Sequence, residues 1–132
     1  MAVAERSGLP VAIQIAKASP HEVTLVESTL KARFVKESPE NLIGDKAYDS
    51  DPLDERLAER CVQMIAPHRR NRKVSTQDGR RLRRYQRRWK VERLFAWLQN
   101  FRRIGTRFDY HASNYLGWVL LGSILILLRR YL

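Results

Sequence analysis

Two short apolar runs most constrain the fold: Asn41-Leu42-Ile43-Gly44, which ends at Asp45, and Val62-Gln63-Met64-Ile65-Ala66. Both are shorter than an ordinary helix and are bounded by turn-forming residues, so they read as buried strands. The segment between them opens with Ser50-Asp51-Pro52, a capping residue followed by a proline in the first turn, and then places Leu53, Leu57 and Cys61 at intervals of four. That is helix-start chemistry with one apolar side. Parallel neighbours need such a crossover between them, so strand, helix, strand predicts an α/β sheet with at least two parallel strands.

The same logic extends upstream. Met1 to Ala4 and Val11 to Ala16 are β-prone runs separated by the turn signal Ser7-Gly8, which predicts a hairpin with Pro10 at its edge or entry. Ser19 as cap and Pro20 at the first position predict a helix over about residues 20–33, with Val23, Val26 and Leu30 inward. Phe34 to Pro39 is a connection. A chain of 132 residues holds one modest core, so residues 1–132 are expected to form a single unit.

After Ala66 the composition changes abruptly. Pro67 to Arg107 carries 15 Lys or Arg against two acids, Asp78 and Glu92, an excess larger than the +11 net charge of the whole chain. Most charge runs are solvated faces. One this one-sided repels itself unless phosphates neutralise it, which points to a polyanionic partner. Residues 67–77 are expected as a basic loop, and Asp78-Gly79 as the start of a long basic helix running to about Arg103. Val91, Leu94, Leu98 and Phe101 would form the stripe facing the sheet. Gly105 to Asn114 breaks the chain before an apolar terminal helix.

The apolar run Tyr115 to Leu128 has 14 residues, against the roughly 20 a membrane span needs. A buried helix is expected, with no membrane. Arg129 and Arg130 beside it leave an interfacial membrane protein as a minor alternative. One cysteine and three histidines exclude an internal disulfide and poorly supply a zinc site. A start without a basic, apolar leader, together with the single cysteine, points to the cytoplasm.

The informative constellation is Tyr85, Arg88, Glu92 and Gln99 in YQRRWKVERLFAWLQ. Steps of three, four and seven return these side chains to one helix face, away from the Leu94 and Leu98 stripe. The pattern resembles the third catalytic region of the DDE insertion-sequence transposases: Tyr, two residues, Arg, three residues, Glu, six residues, Lys. Gln99 stands at the lysine position. Gly44-Asp45-Lys46-Ala47-Tyr48 resembles the second catalytic region, a carboxylate at a strand end, and the likeness covers nearly the whole chain.

The resemblance implies an incomplete RNase H-like fold: a mixed sheet flanked by helices, with a long basic helix and an apolar C-terminal helix. It implies that Asp45 and Glu92 are catalytic metal ligands, and that the family's first strand and first aspartate lie upstream of Met1. Glu5 matches a hairpin position beyond that aspartate and is not a substitute. The cofactor implied is Mg2+ or Mn2+, two ions in the complete domain, which activate the nucleophile and neutralise the leaving oxygen of a phosphodiester. The partner implied is DNA, as transposon ends and target. Tyr85, Arg88, Arg84, Arg87, Lys90, Gln99, Arg102 and Arg103 are the expected contacts, positioning the backbone rather than reading bases.

Without the upstream segment, from a fused frame or a second chain, the polypeptide is expected not to cut DNA. The alternative is a non-catalytic DNA-binding fragment or an inhibitor of transposition. Plainer roles stay open beside these: Asp45 as a turn cap, Glu92 as a surface partner of Arg88 or Arg93, and His21 as part of a helix start. Asp49 and Asp51 are expected as helix caps, Trp97 and Trp118 as core, and Trp89 as core or a base-stacking ring.

Overall fold

The computed structural model describes residues 1–76 and 82–132. Strand β1 (Ala2–Ala4) pairs antiparallel with β2 (Pro10–Ile13), with a register shift between Val3 and Ala4. Gly8 closes the turn at φ 87°, a conformation that costs a side chain-bearing residue energy. Pro10 is the first residue of its strand, as expected of a residue with no N–H to give the ladder.

The side chains of this first segment alternate between two cores. Ala2 and Ala4 pack on one cluster and Met1 and Val3 on the other, so the hairpin is a layer with apolar material on both faces. On the Met1 side lie α1 (Glu22–Lys31) and α2 (Asp51–Ala58), through Val26, Leu30, Leu53 and Leu57. On the Ala2 side lie α3 (Trp89–Gln99), the short α4 (Arg102–Gly105) and α5 (Ala112–Tyr131), through Leu94, Leu98, Ile104, Val119 and Ile126.

Strands β3 (Asn41–Ile43) and β4 (Gln63–Ile65) pair in parallel in register, with α2 as the crossover. Val62, Met64 and Ala66 enter the α1/α2 cluster, and Ile65 is fully buried on the opposite face. The expected α/β order and the parallel pair are therefore present, divided among the described residues between two two-stranded sheets.

Several boundaries differ from the sequence expectation. Helix α1 begins at Glu22 with His21 as its N-cap, so Ser19 and Pro20 lie outside it. Cys61 is exposed and adopts φ 58° beyond the end of α2, where the amide of Val62 returns to the carbonyl of Leu57. The interval of four therefore overruns the helix, and Cys61 occupies a left-handed turn position that glycine usually takes.

The single long basic helix is replaced by a 3-10 helix, Arg83–Arg88, followed by α3 and, after a break at Asn100 and Phe101, by α4. Its start at Asp78-Gly79, and Gln77 of the expected loop, lie outside the described residues. Residues 67–76 form no helix or strand.

The terminal helix is 20 residues long, more than its apolar run, so length does not separate it from a membrane span. One side packs through Val119, Gly122 and Ile126, with Gly122 pressed close to Ile104. Only 22% of its most apolar stretch is buried. The expected buried helix is thus covered on one side, and Trp118, Leu121, Ile124 and Leu128 are exposed on the other.

Candidate functional site

Asp45 follows Gly44, where a β-carbon would fall within 2.6 Å of the Tyr48 ring and 2.5 Å of the Met64 side chain. The glycine lets the chain leave β3 closely packed, with the carboxylate at the strand end. Asp45 Oδ1 accepts the Ala47 amide at 2.8 Å and caps the 3-10 helix Lys46–Tyr48. Its Oδ2 is turned toward Arg88.

Arg88 stands where the 3-10 helix Arg83–Arg88, which packs beside β3, passes into α3. In 3-10 geometry side chains three apart eclipse one another, and the Arg88 guanidinium lies 5.5 Å over the Tyr85 ring. In the α-helix beyond, side chains four apart are neighbours, and Arg88 donates to Glu92 Oε1 at 2.8 Å. The change of helix type at Arg88 thus places the tyrosine and the glutamate against one guanidinium.

The other end of that guanidinium lies 3.8 Å from Asp45 Oδ2. Two carboxylates from separate elements therefore converge on one cation. The side chains are 38% (Arg88), 43% (Asp45) and 59% (Glu92) exposed, so the cluster opens to solvent. Glu92 sits in the first turn of α3, where the helix dipole favours a negative charge. The plainer roles of both acids are real as well: Asp45 is a turn cap and Glu92 an ion-pair partner of Arg88.

The other expected contacts are spread over the 3-10 helix, α3 and α4. Arg84 and Arg87 are exposed on the 3-10 helix, and Gln99, Arg102 and Arg103 are exposed at the far end of α3 and on α4. Arg103 stacks 5.4 Å from the ring of Trp118, which is 38% exposed rather than core. Lys90 is turned to the hairpin, donating to the carbonyl of Arg6. Trp97 is partly buried against the core, and Trp89 is 50% exposed. Between these two indoles lies Arg93, 4.8 Å from each ring, whose guanidinium also donates to the carbonyl of Ser7. This stack fixes the hairpin turn to α3.

Sequence reasoning missed a second cluster. Asp49 is buried, accepts the Arg69 amide at 2.7 Å, and pairs with Arg72 at 2.6 Å and His68 Nδ1 at 3.0 Å. Burial pushes its carboxyl up; the Arg69 amide, His68 and Arg72 outweigh this and hold it below the ordinary aspartate value. Asp51, exposed, takes the other arm of Arg72. The expected helix-capping role fails for Asp49, which anchors the basic loop instead. No local signal marked it, since its partners Arg69 and Arg72 lie 20 and 23 residues further along the chain.

Among the described residues, no group of three or more His, Cys, Asp or Glu side chains is arranged to hold a metal ion. Asp45 and Glu92 supply two hard oxygen donors on one solvent-facing cluster.

Against known proteins, the family model described as Transposase DDE domain matches residues 1–128. The Burkholderia cepacia protein named "Putative transposase for insertion sequence element IS402" is 30% identical over 132 residues, 94% of this chain and 59% of the relative. The chain thus spans 59% of the length of that curated relative. No solved structure matches. These matches place the chain in the DDE transposase family of insertion sequences.

Proposed function

We propose that the chain is part of a transposase catalytic domain that cleaves and rejoins DNA strands, with Asp45 and Glu92 as two of its metal-binding carboxylates. The observation that carries this reading is their convergence on Arg88, from a strand end and a helix remote in sequence. The family generally uses divalent metal ions. Carboxylate oxygens fit Mg2+ or Mn2+; one or two such ions would be held by Asp45 Oδ2 and Glu92 and would supply charge neutralisation at the scissile phosphate.

With only two carboxylates in the cluster, the half-site calls for a third from outside the described residues. The arrangement of strands supports where it would enter. Among the described residues, β1 and β3 each have a bonded neighbour on one edge only, while Met1, Val3 and Leu42 pack on the same cluster. A strand inserted between β1 and β3 would join the two small sheets into one mixed sheet, as in an RNase H-like domain, and its end would lie near Asp45. Arg84, Arg87, Arg102 and Arg103 would hold the DNA backbone. The cytoplasm, where such DNA lies, is the proposed location.

The test is strand cleavage. The 132-residue chain alone should leave transposon-end DNA intact in Mg2+. The chain joined to the corresponding upstream segment of a relative should nick it, with the activity lost in Asp45→Asn or Glu92→Gln. Cleavage surviving both substitutions would refute the reading.

A second reading, a DNA-binding fragment that competes for transposon ends, is favoured by the exposure of the arginines and by the two-acid site. It expects salt-sensitive DNA binding that survives Asp45→Asn with Glu92→Gln, and interference with transposition by a complete enzyme.

A further inference from the structure

The cation between Asp45 and Glu92 belongs to the protein itself. Arg88 donates to Glu92 Oε1 at 2.8 Å and approaches Asp45 Oδ2 at 3.8 Å. Asp45 Oδ1 is already engaged by the Ala47 amide, so Oδ2 is the oxygen turned outward. A divalent ion held by the pair would use the lone pairs that now face the guanidinium. Both cations cannot occupy that position together.

The guanidinium has somewhere to go. It is planar, carries five N–H donors and suits a phosphate bidentately. It is 38% exposed, rests over the Tyr85 ring, and shares its 3-10 helix with exposed Arg84 and Arg87.

We propose that Arg88 is the resident counter-ion of the Asp45–Glu92 pair, displaced jointly by a DNA phosphate, which takes the guanidinium, and a divalent cation, which takes the carboxylates. Arg88 is then a positioning residue that couples DNA binding to metal loading. Linkage makes the coupling reciprocal: whatever draws Arg88 away tightens the metal, and whatever neutralises the carboxylates tightens the phosphate. The inference rests on the metal-ligand reading of Asp45 and Glu92.

The test is Mn2+ binding by the full chain without DNA, followed by loss of the free-ion electron paramagnetic resonance signal, in wild type, Arg88→Gln, Arg88→Lys and Asp45→Asn/Glu92→Gln. Removing a charge from a partly exposed cluster should tighten Mn2+ roughly three- to tenfold in Arg88→Gln. Arg88→Lys, which keeps the charge, should stay near wild type, so a general effect of substitution is separated from loss of the counter-ion. If wild type and Arg88→Gln bind equally, and both bind more tightly than the double carboxylate variant, the exchange is wrong while the metal-ligand reading stands. If none exceeds that variant, the metal-ligand reading fails and the exchange with it.

The phosphate half is read without metal, in a chelator, from the affinity for a short DNA duplex. Asp45→Asn/Glu92→Gln should strengthen binding at least about threefold more with Arg88 present than in an Arg88→Gln background, the signature of a coupled pair in a mutant cycle. Equal gains in the two backgrounds would overturn it.

Discussion

Replacing Asp49 by Ala should release the basic loop. Its side chain is 3% exposed and holds three partners, the Arg69 amide at 2.7 Å, Arg72 at 2.6 Å and His68 at 3.0 Å. Breaking a buried ion pair costs about 3–5 kcal/mol when the abandoned charge has no other partner. Arg72 keeps Asp51, so about 2–3 kcal/mol is the reasoned loss, concentrated in residues 67–76. The segment carries Arg69, Arg70, Arg72 and Lys73, each a trypsin site. Where cleavage follows local opening, that loss accelerates cutting roughly 30- to 150-fold, at a factor of ten per 1.4 kcal/mol. The assay is limited trypsinolysis with mass-spectrometric reading of cuts after Arg72 and Lys73, beside Asp51→Ala, whose side chain is 64% exposed. The Asp51 variant should change the rate no more than about fivefold, as suits an exposed pair. An Asp49→Ala rate within a factor of about three of wild type would refute the anchoring argument.

Three further outcomes follow from particular residues. Burial, with Asp51 nearby, raises the Asp54 carboxyl to about 6, and its buried Oδ1 has no hydrogen-bond partner among the described residues. Ionising it in the folded chain is therefore costly above pH 6 and not below the unfolded value near 3.8. Asp54→Asn should stabilise by about 1–2 kcal/mol at pH 7.5 and by nothing near pH 4, read from thermal unfolding midpoints; an equal gain at both pH values would contradict the cause. Asp49 has the opposite sign: its folded value lies below 3.8, so its contribution is complete above that pH and lost as pH falls through the folded value, a loss that Asp49→Asn should not show. Cys61→Gly should stabilise by about 0.5–1 kcal/mol in denaturant titration, because a left-handed residue at φ 58° loses its steric cost; a destabilised variant would show that the thiol makes a contact of its own.

The elements of the first two-thirds of the chain could be read because each carries its own punctuation. Ser7-Gly8 marks the hairpin, Ser50-Asp51-Pro52 the second helix, and apolar runs without periodicity the parallel strands. Boundaries were less legible where caps compete. Ser19, Pro20 and His21 all suit a helix start, and the backbone uses His21. The basic helix misled because spacings of three and four are shared by α and 3-10 geometry. Tyr85 to Arg88 is a 3-10 step and Arg88 to Glu92 an α step, which sequence spacing alone does not separate. Arg88 and Glu92 share a face as expected, through the ordinary α-helical step of four, whereas Tyr85 reaches Arg88 from the 3-10 turn before it.

The approach of Asp45 to the same arginine depends on how the 3-10 helix packs beside β3, a tertiary relation with no local signature. Asp49 was set aside because Asp before a helix usually caps it, whereas its partners Arg69 and Arg72 come from beyond the next strand. The terminal helix was judged from its apolar run, and the flanking residues that complete 20 helical positions contribute length but little hydrophobicity.

Iron-directed cleavage of the polypeptide would show whether Asp45 and Glu92 face one metal position. Fe2+ loaded in place of Mg2+ and treated with ascorbate and peroxide cuts the backbone nearest the bound ion. Paired cuts are expected beside Asp45 and beside Glu92, suppressed by excess Mg2+ and absent in Asp45→Asn/Glu92→Gln. Cuts at only one of the two segments, or cuts around Asp49 and His68 that persist in the double variant, would contradict it.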